Sequence, residues 1–511
     1  MTTDFLWGVA TSAYQAEGHY NGPNQPRTNW AHAEEKRDVA PLGASSDFLH
    51  RYPEDFARCK GLGLNAFRLG LEWSRIQPGS AKLDGNPPPP FDRSALDFYA
   101  DLICKCRESQ LTPVVTLHHF VHPAWLGSDP WLHESTIDWF ELYVVKALDH
   151  VNTLLTEAGQ EPIHRMITIN EPNMLVLNSY FGHQFPSGHR RSFAACLQAY
   201  DLLMASHVRA YHAIHRLYRE RGWREPLVTL NNYCSDLYWS DKFILDILSM
   251  RERGQEPDDL NRYIHRKAEE FDAAFVGARI PLRRDVPYYF GDALKRISNW
   301  VGYRTFRSAR FKHTLTELYN GPSARAFDYI GIDYYDPFTA HAFRLPVWWD
   351  HEFRSKSFRE WVMNSVTSKW WDWRVLARGM HFFCKYYSED FGGREILIAE
   401  NGMAKRRKKD NSRTRRRDGM TRSQFLKLHV HEVVRIVKDG IPVMGYLHWS
   451  LFDNYEWGSY TPRFGLYSID YMNGAERDAV DPDGDNPSAT YATLISAARE
   501  TAHAQEQLKR M

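Results

Sequence analysis

Short runs rich in β-branched and aromatic residues recur along the chain, separated by long stretches in which apolar positions return every three or four residues. That alternation of a period near two with a period near 3.6 is the signature of parallel strands joined by helical crossovers. The runs are FLWGVA (5–10), NAFRLGLEW (65–73), TPVVTLHHF (112–120), RMITINEP (165–172), PLVTLNNY (226–233), FDYIGIDYY (327–335), EILIAENG (395–402) and VMGYLHWSLFDN (443–454). Between them, SALDFYADLICKCRES from Ser94 and TRSQFLKLHVHEVVRIVKDG from Thr421 carry helical spacing, the latter closed by a glycine. Eight such strands predict one α/β domain, a (β/α)8 barrel. No Ser/Gly linker or short-period repeat divides residues 1–511, so a single domain is expected, with an aromatic-rich loop at about 340–373 and a basic loop at about 403–420.

Nearly every predicted strand ends in polar or aromatic residues: Arg68 and Glu72, His118 and His119, Asn170 and Glu171, Asp333 and Tyr335, Glu400 and Asn401, Trp449 and Asp453. In barrels of this class the carboxyl ends of the strands carry the active site, while the interior is filled with branched apolar residues. Glu171 and Glu400 each follow an apolar run. Two glutamates on different strands can flank a glycosidic bond, one protonating the leaving oxygen and the other attacking the anomeric carbon. Either one alone reads equally well as a surface loop carboxylate.

Composition narrows the partners. Lys+Arg 64 against Asp+Glu 63 leaves a net charge of +1, so no global field draws the chain to nucleic acid or a membrane, and any such attraction must be local. No basic segment precedes a long apolar one at the amino terminus, and no apolar run approaches the roughly 20 residues of a membrane span. A cytoplasmic protein without a transmembrane segment is expected. Cys59, Cys104, Cys106, Cys196, Cys234 and Cys384 show no C-x-x-C pair or histidine partners at zinc spacing, which predicts idle thiols and no metal.

The ordered motifs FLWGVATSAYQAEG, FRLGLEWSRIQP, VVTLHHF, TINEP, GIDYY, IAENG and GYLHWSLFDNYEWGSYTPRFGLYSID span most of the chain and resemble glycoside hydrolase family 1, the β-glucosidase and β-galactosidase family. The resemblance implies a retaining mechanism on a single (β/α)8 barrel with no cofactor. It implies Glu171 as acid/base, Glu400 as nucleophile, Arg68 and Tyr335 as the groups that keep Glu400 ionised, and Asn170 as the partner of the sugar 2-hydroxyl. Gln15, His119, Trp449, Glu456 and Trp457 match positions that bind the glycone, and Trp373 matches an aglycone platform. Glu456 stands where members acting on 6-phosphorylated sugars carry a phosphate-binding set, which favours an unphosphorylated glycone, glucose first and galactose or fucose beside it. The implied partner is a small β-glycoside or short oligosaccharide.

Two departures accompany the resemblance. Asp333 replaces the usual asparagine of the N-x-Y motif, adding a carboxyl group near the nucleophile, and WDWRVLARGM lacks the proline that follows the aglycone-side tryptophan. Trp348, Trp349, Trp361, Trp370, Trp371 and Trp373 crowd the loop after the sixth strand, as loop packing or as a rim for an apolar aglycone. The run from Lys405 to Arg417 is expected to be solvated and mobile, or else to hold an anionic ligand. Alternatives to a hydrolase are a transglycosidase of the same fold and a carbohydrate-binding protein with a vestigial pocket.

Overall fold

The computed structural model of the chain describes residues 5–79, 87–182, 184–188, 192–342, 370–408 and 411–510. All eight predicted runs form parallel strands of one closed barrel: β1 (Leu6–Ala10), β2 (Ala66–Gly70), β3 (Thr112–Thr116), β4 (Arg165–Asn170), β5 (Leu227–Tyr233), β6 (Ile330–Asp333), β7 (Ile396–Asn401) and β10 (Val443–Trp449). Each strand pairs with its neighbour in sequence, and β10 closes on β1. Three short strands, β8 (Lys405–Arg407), β9 (Arg413–Thr414) and β11 (Pro462–Arg463), make a separate antiparallel sheet.

Side chains alternate across each strand. Leu6, Ala10, Ala66, Val114, Ile167, Leu397, Ala399 and Leu447 fill the barrel interior. Trp7, Val9, Phe67, Leu69, Val115, Met166 and Ile398 join the larger core beneath the surrounding helices. Fully burying a Val, Leu or Ile of this kind contributes about 1.5–3 kcal/mol. The helix Arg93–Glu108 starts where Asp92 accepts from the amides of Ser94 and Ala95, and buries Leu96, Tyr99, Leu102, Ile103 and Cys106. Thr421 and Gln424 form a capping box ahead of the helix Arg422–Lys438.

The polar residues at the strand ends share one layer because the pairing register changes just beneath them. Ile167 faces Thr229 but Asn170 faces Asn231; Ile332 faces Ile398 but Asp333 faces Glu400. An extra residue in one strand flips the faces of those that follow. These shifts turn Asn170 and Glu400 onto the layer that already holds Arg68, the partner of Ala10 and Val114.

The basic run is folded, contrary to expectation. Lys405 and Arg407 are buried in β8, and Arg416 is nine-tenths buried. Lys405 Nζ lies 2.6 Å from Asp481 and 3.2 Å from Asp483. Arg416 pairs with Asp418 at 2.8 Å and donates to the backbone oxygens of Trp371, Trp373 and Ala404. Like charges order here because carboxylates distant in sequence meet them. Of the aromatic loop, Trp348, Trp349 and Trp361 lie outside the described residues.

Candidate active site

Arg68 is fully buried in the middle of β2 and organises the floor of a pocket at the carboxyl ends of the strands. Its Nη1 donates to Glu400 Oε1 at 2.7 Å, its Nη2 to Asn170 Oδ1 at 2.6 Å, and its Nε to Thr116 at 2.9 Å. Tyr335 donates its hydroxyl proton to the other oxygen of Glu400 at 2.8 Å. Gly402, two residues on, lets the chain turn away, because a Cβ there would sit 2.1 Å from the Trp449 carbonyl oxygen.

Glu171 follows β4 with φ 37 and ψ 63, in the left-handed region, and Pro172 then opens a short helix to Val176. A glutamate held in that region costs about 1–3 kcal/mol, a strain met mostly at functional sites. Its amide donates to Asn231 O at 2.8 Å, which fixes the turn. One carboxylate oxygen from each of Glu171, Asp333 and Glu400 lies within 4.8 Å of the other two. Asp333 is fully buried, accepts from the Asn231 amide, and stands 4.0 Å from Arg68 Nη1.

Three carboxyl groups thus face one guanidinium. Burial, and then the charge of Glu400, raises Glu171 well above the ordinary carboxylate range. Burial and both neighbouring glutamates do the same to Asp333. Burial also lifts Glu400, but Arg68 and the Tyr335 hydrogen bond oppose it, so it is the carboxyl best supported as an anion. The arrangement can hold a proton on the Glu171/Asp333 pair while presenting an ionised Glu400, the division of labour that acid-assisted nucleophilic displacement requires.

Around this layer lie the other sequence-predicted residues. Trp449 Nε1 donates to Glu456 Oε1 at 3.1 Å, and Gln15 Nε2 donates to Glu456 Oε2 at 3.1 Å. Burial drives Glu456 upward in pKa, and the two donors work against that shift. His119 stacks between Trp449 and Trp457, with ring centroids at 5.6 and 5.7 Å, and sits 3.2 Å from the Asn170 amide. Trp373 packs obliquely on Tyr335 at 5.6 Å. His119, Asn170, Glu171, Tyr335, Trp373, Glu400, Trp449, Glu456 and Trp457 all line one pocket. Arg68 and Gln15 act from behind it.

Other polar strand ends do not reach the pocket. Glu72 caps the next helix through the Ser74 amide. Asp453 accepts from the amides of Gly465 and Ile469. His118 packs edge-on against Trp131, and Asn401 bridges Tyr446 and the Tyr334 carbonyl. The residue that sequence reasoning missed is Asn231, whose amide bridges Asn170 Oδ1, at 2.8 Å, and Asp333. Its signal was present: two asparagines end the otherwise apolar β5. Met174, Asn178, Gln184, Phe185 and Tyr233 complete the wall and were equally unforeseen.

Among the described residues, two clusters have donor atoms close enough for a cation. In Glu171–Asp333–Glu400 the Arg68 guanidinium already supplies positive charge. In His19–Asp47–His50 both imidazoles hydrogen-bond Asp47, at 3.2 and 2.6 Å.

Residues 1–233 and 304–482 match the family model described as glycosyl hydrolase family 1. Beta-glucosidase A of Thermotoga maritima is 25% identical over 478 residues, covering 91% of this chain and 92% of that protein. A 6-phospho-beta-galactosidase of Clostridium acetobutylicum is 25% identical over 495 residues, with 92% of each covered. Beta-glucosidase 4 of Oryza sativa subsp. japonica is 26% identical over 496 residues, covering 93% and 91%. Among solved structures, a beta-glucosidase from Thermotoga maritima in complex with castanospermine superposes with a TM-score of 0.66 at 20% identity, covering 97% of this chain and 98% of that one.

Proposed function

Since the chain belongs to glycosyl hydrolase family 1, we propose that it is a retaining β-glucosidase that cleaves terminal unphosphorylated β-D-glucosyl residues, with galactosyl and fucosyl residues as secondary substrates. The observation that carries the reading is the approach of Glu171 to Glu400 within 4.8 Å. Carboxyl groups about 5–5.5 Å apart suit attack by one of them on the anomeric carbon, whereas inverting enzymes leave about 6.5–9.5 Å for a water.

In the first half-reaction Glu400 attacks the anomeric carbon, and the proton of Glu171 goes to the leaving oxygen as the glycosidic bond breaks. Glycosyl transfer to Glu400 neutralises that carboxylate, which removes the charge that raised Glu171. Glu171 then takes a proton from water, whose oxygen displaces the ester. Asn170, held by Arg68 and Asn231, offers its amide to the sugar 2-hydroxyl. Gln15, His119, Glu456 and Trp457 read the remaining hydroxyls, and Trp449 covers an apolar face of the ring.

Relatives named for glucosides and for 6-phosphogalactosides are equally similar to the chain. Buried Glu456 supports the first group, because its carboxyl, held by Gln15 and Trp449, offers a phosphate no positive charge. The free thiols of all six cysteines support a cytoplasmic setting. An anionic ligand at residues 405–417 would meet Lys408, Arg415 and Arg417, which are exposed among the described residues of that loop.

Turnover of aryl β-glycosides tests the assignment. Wild type should release a β-configured sugar first, Glu400→Ala should fall to background, and Glu171→Gln should lose about 10²–10⁴-fold with poor leaving groups. A first-formed α-anomer, or no β-glucoside, galactoside, fucoside or mannoside turned over above Glu400→Ala, would overturn it. Faster turnover of a 6-phosphogalactoside than of a glucoside would overturn the glycone assignment.

A further inference from the structure

Residues 234–303 fall outside the family match. They include most of the helix Val286–Phe306, which has two unlike faces. Gly291, Lys295, Gly302 and Phe306 face the body of the protein and are buried. The fit there is close, since a Cβ on Gly302 would lie 2.5 Å from the Trp239 ring, and one on Gly291 would lie 2.6 Å from the Ala340 backbone.

The opposite face is apolar and open to solvent. Val286, Phe290, Ile297 and Trp300 recur at helical spacing and are 73%, 58%, 56% and 57% exposed. Phe181 and Phe193, with rings 5.3 Å apart and each about half exposed, stand across a cleft of about 320 Å³ from Ile297 and Val301. An exposed apolar area of this kind on a water-soluble fold marks an interaction surface.

Charge selects the partner. From Arg279 to Lys312 there are nine basic side chains and two acidic ones, in a chain whose overall net charge is +1. Arg283, Arg284, Arg296, Arg304, Arg307 and Arg310 are exposed. Arg304 lies 4.4 Å above the Trp300 ring. A second copy of the chain would set this positive face against itself, and nucleic acid would leave Val286, Ile297 and the apolar cleft beside Ile297 without a partner. An anionic lipid surface satisfies both halves, with headgroups on the arginines and side chains sunk toward the acyl region.

We propose that the outer face of helix Val286–Phe306, together with Phe181 and Phe193, docks the protein on anionic phospholipid membranes. The cleft beside Ile297 then receives acyl-chain carbons. Leu177 and Phe181 line that cleft, while Met174 and Asn178, from the same helical segment after Glu171, line the catalytic pocket. Docking therefore sets the pocket mouth beside the lipid surface, within reach of glycosides presented there.

Co-sedimentation of the full chain with vesicles tests the proposal. Vesicles of phosphatidylcholine with phosphatidylglycerol should carry the protein down, and pure phosphatidylcholine vesicles should do so far less. Ile297→Glu with Trp300→Glu should abolish sedimentation while circular dichroism keeps the native spectrum. Arg307→Ser with Arg310→Ser should weaken it about thirty-fold, and raised salt should mimic that loss. Absence of binding to the anionic vesicles would overturn the proposal. So would a concentration-dependent dimer dispersed by Trp300→Glu without vesicle binding, which would give the face to a second copy. Neither readout depends on catalysis, so failure here leaves the glycosidase assignment standing.

Discussion

Two of the places where this molecule buries charge differ in how far carboxylates outnumber cations. In the proposed catalytic layer Glu171, Asp333 and Glu400 share one guanidinium, Arg68. Beneath the 405–417 loop, Lys405 meets Asp481 and Asp483, and Arg416 meets Asp418. The unbalanced cluster keeps protons: Glu171 is pushed up by burial and by the charge of Glu400, and Asp333 by burial and by both glutamates. The balanced one keeps shape. There burial works against Asp481, but the hydrogen bond and charge of Lys405 outweigh it and hold that carboxyl below its ordinary range. The difference teaches that a buried ion serves chemistry when its partners are too few and architecture when they suffice.

Breaking the balanced cluster should have the largest effect on stability. Lys405→Ala takes the paired cation from buried Asp481 and should cost about 3–5 kcal/mol in denaturant unfolding. Loss of less than ~1 kcal/mol would show that the pair is incidental.

Relieving the unbalanced cluster should act on pH dependence. Asp333→Ala removes the hydrogen bond that lowers the pKa of Glu171, so the proposed acid/base should keep its proton to higher pH and the alkaline limb of kcat/KM should move to higher pH. The stability change has a definite sign. Asp333 titrates higher in the folded chain than when unfolded, so its contribution is complete below the ordinary carboxylate range and is lost as pH rises toward the folded value. The variant should therefore gain in melting temperature over wild type as pH increases. An unmoved limb with an unchanged melting profile would leave Asp333 a spectator.

The smallest effect is expected where neither regime holds. Arg415 and Arg417 point outward, the latter 4.0 Å from Asp372. Arg415→Ser with Arg417→Ser should shift stability by no more than about 0.5 kcal/mol. If the same variant alters the preference between neutral and acidic aglycones, the loop holds an anion; equal selectivity would leave it a scaffold only.

How much was legible follows from how local each signal was. The eight strands were readable because each carries its own apolar run, Glu171 and Glu400 because they stand at the ends of such runs, and Arg68 because it sits inside the motif FRLGLEWSRIQP. Asn231 was passed over because a terminal asparagine also reads as a turn former. The order of the basic loop could not be foreseen, since Lys405 and Asp481 are 76 residues apart. Nor could the register shifts beneath Asn170 and Asp333, which depend on two strands at once. The outward face of Val286–Phe306 was hidden because its apolar stripe looks, in one dimension, like a core stripe.

The hydrogen bond from Arg68 to Glu400 spans 332 residues of chain. At a ribosomal pace of roughly 5–20 residues per second, Arg68 emerges on the order of 20–60 s before its partner exists. Until Asp333 emerges, the nascent barrel carries a cation destined for the interior without either of its ion-pair partners. Closure by β10 comes later still, and Gln15 waits for Glu456, 441 residues downstream. The charge pair of the proposed mechanism is thus among the last contacts available during synthesis, and a truncated chain that stops short of Glu400 lacks the proposed nucleophile. The proposed activity and the closing of the barrel both wait for the carboxyl-terminal strands.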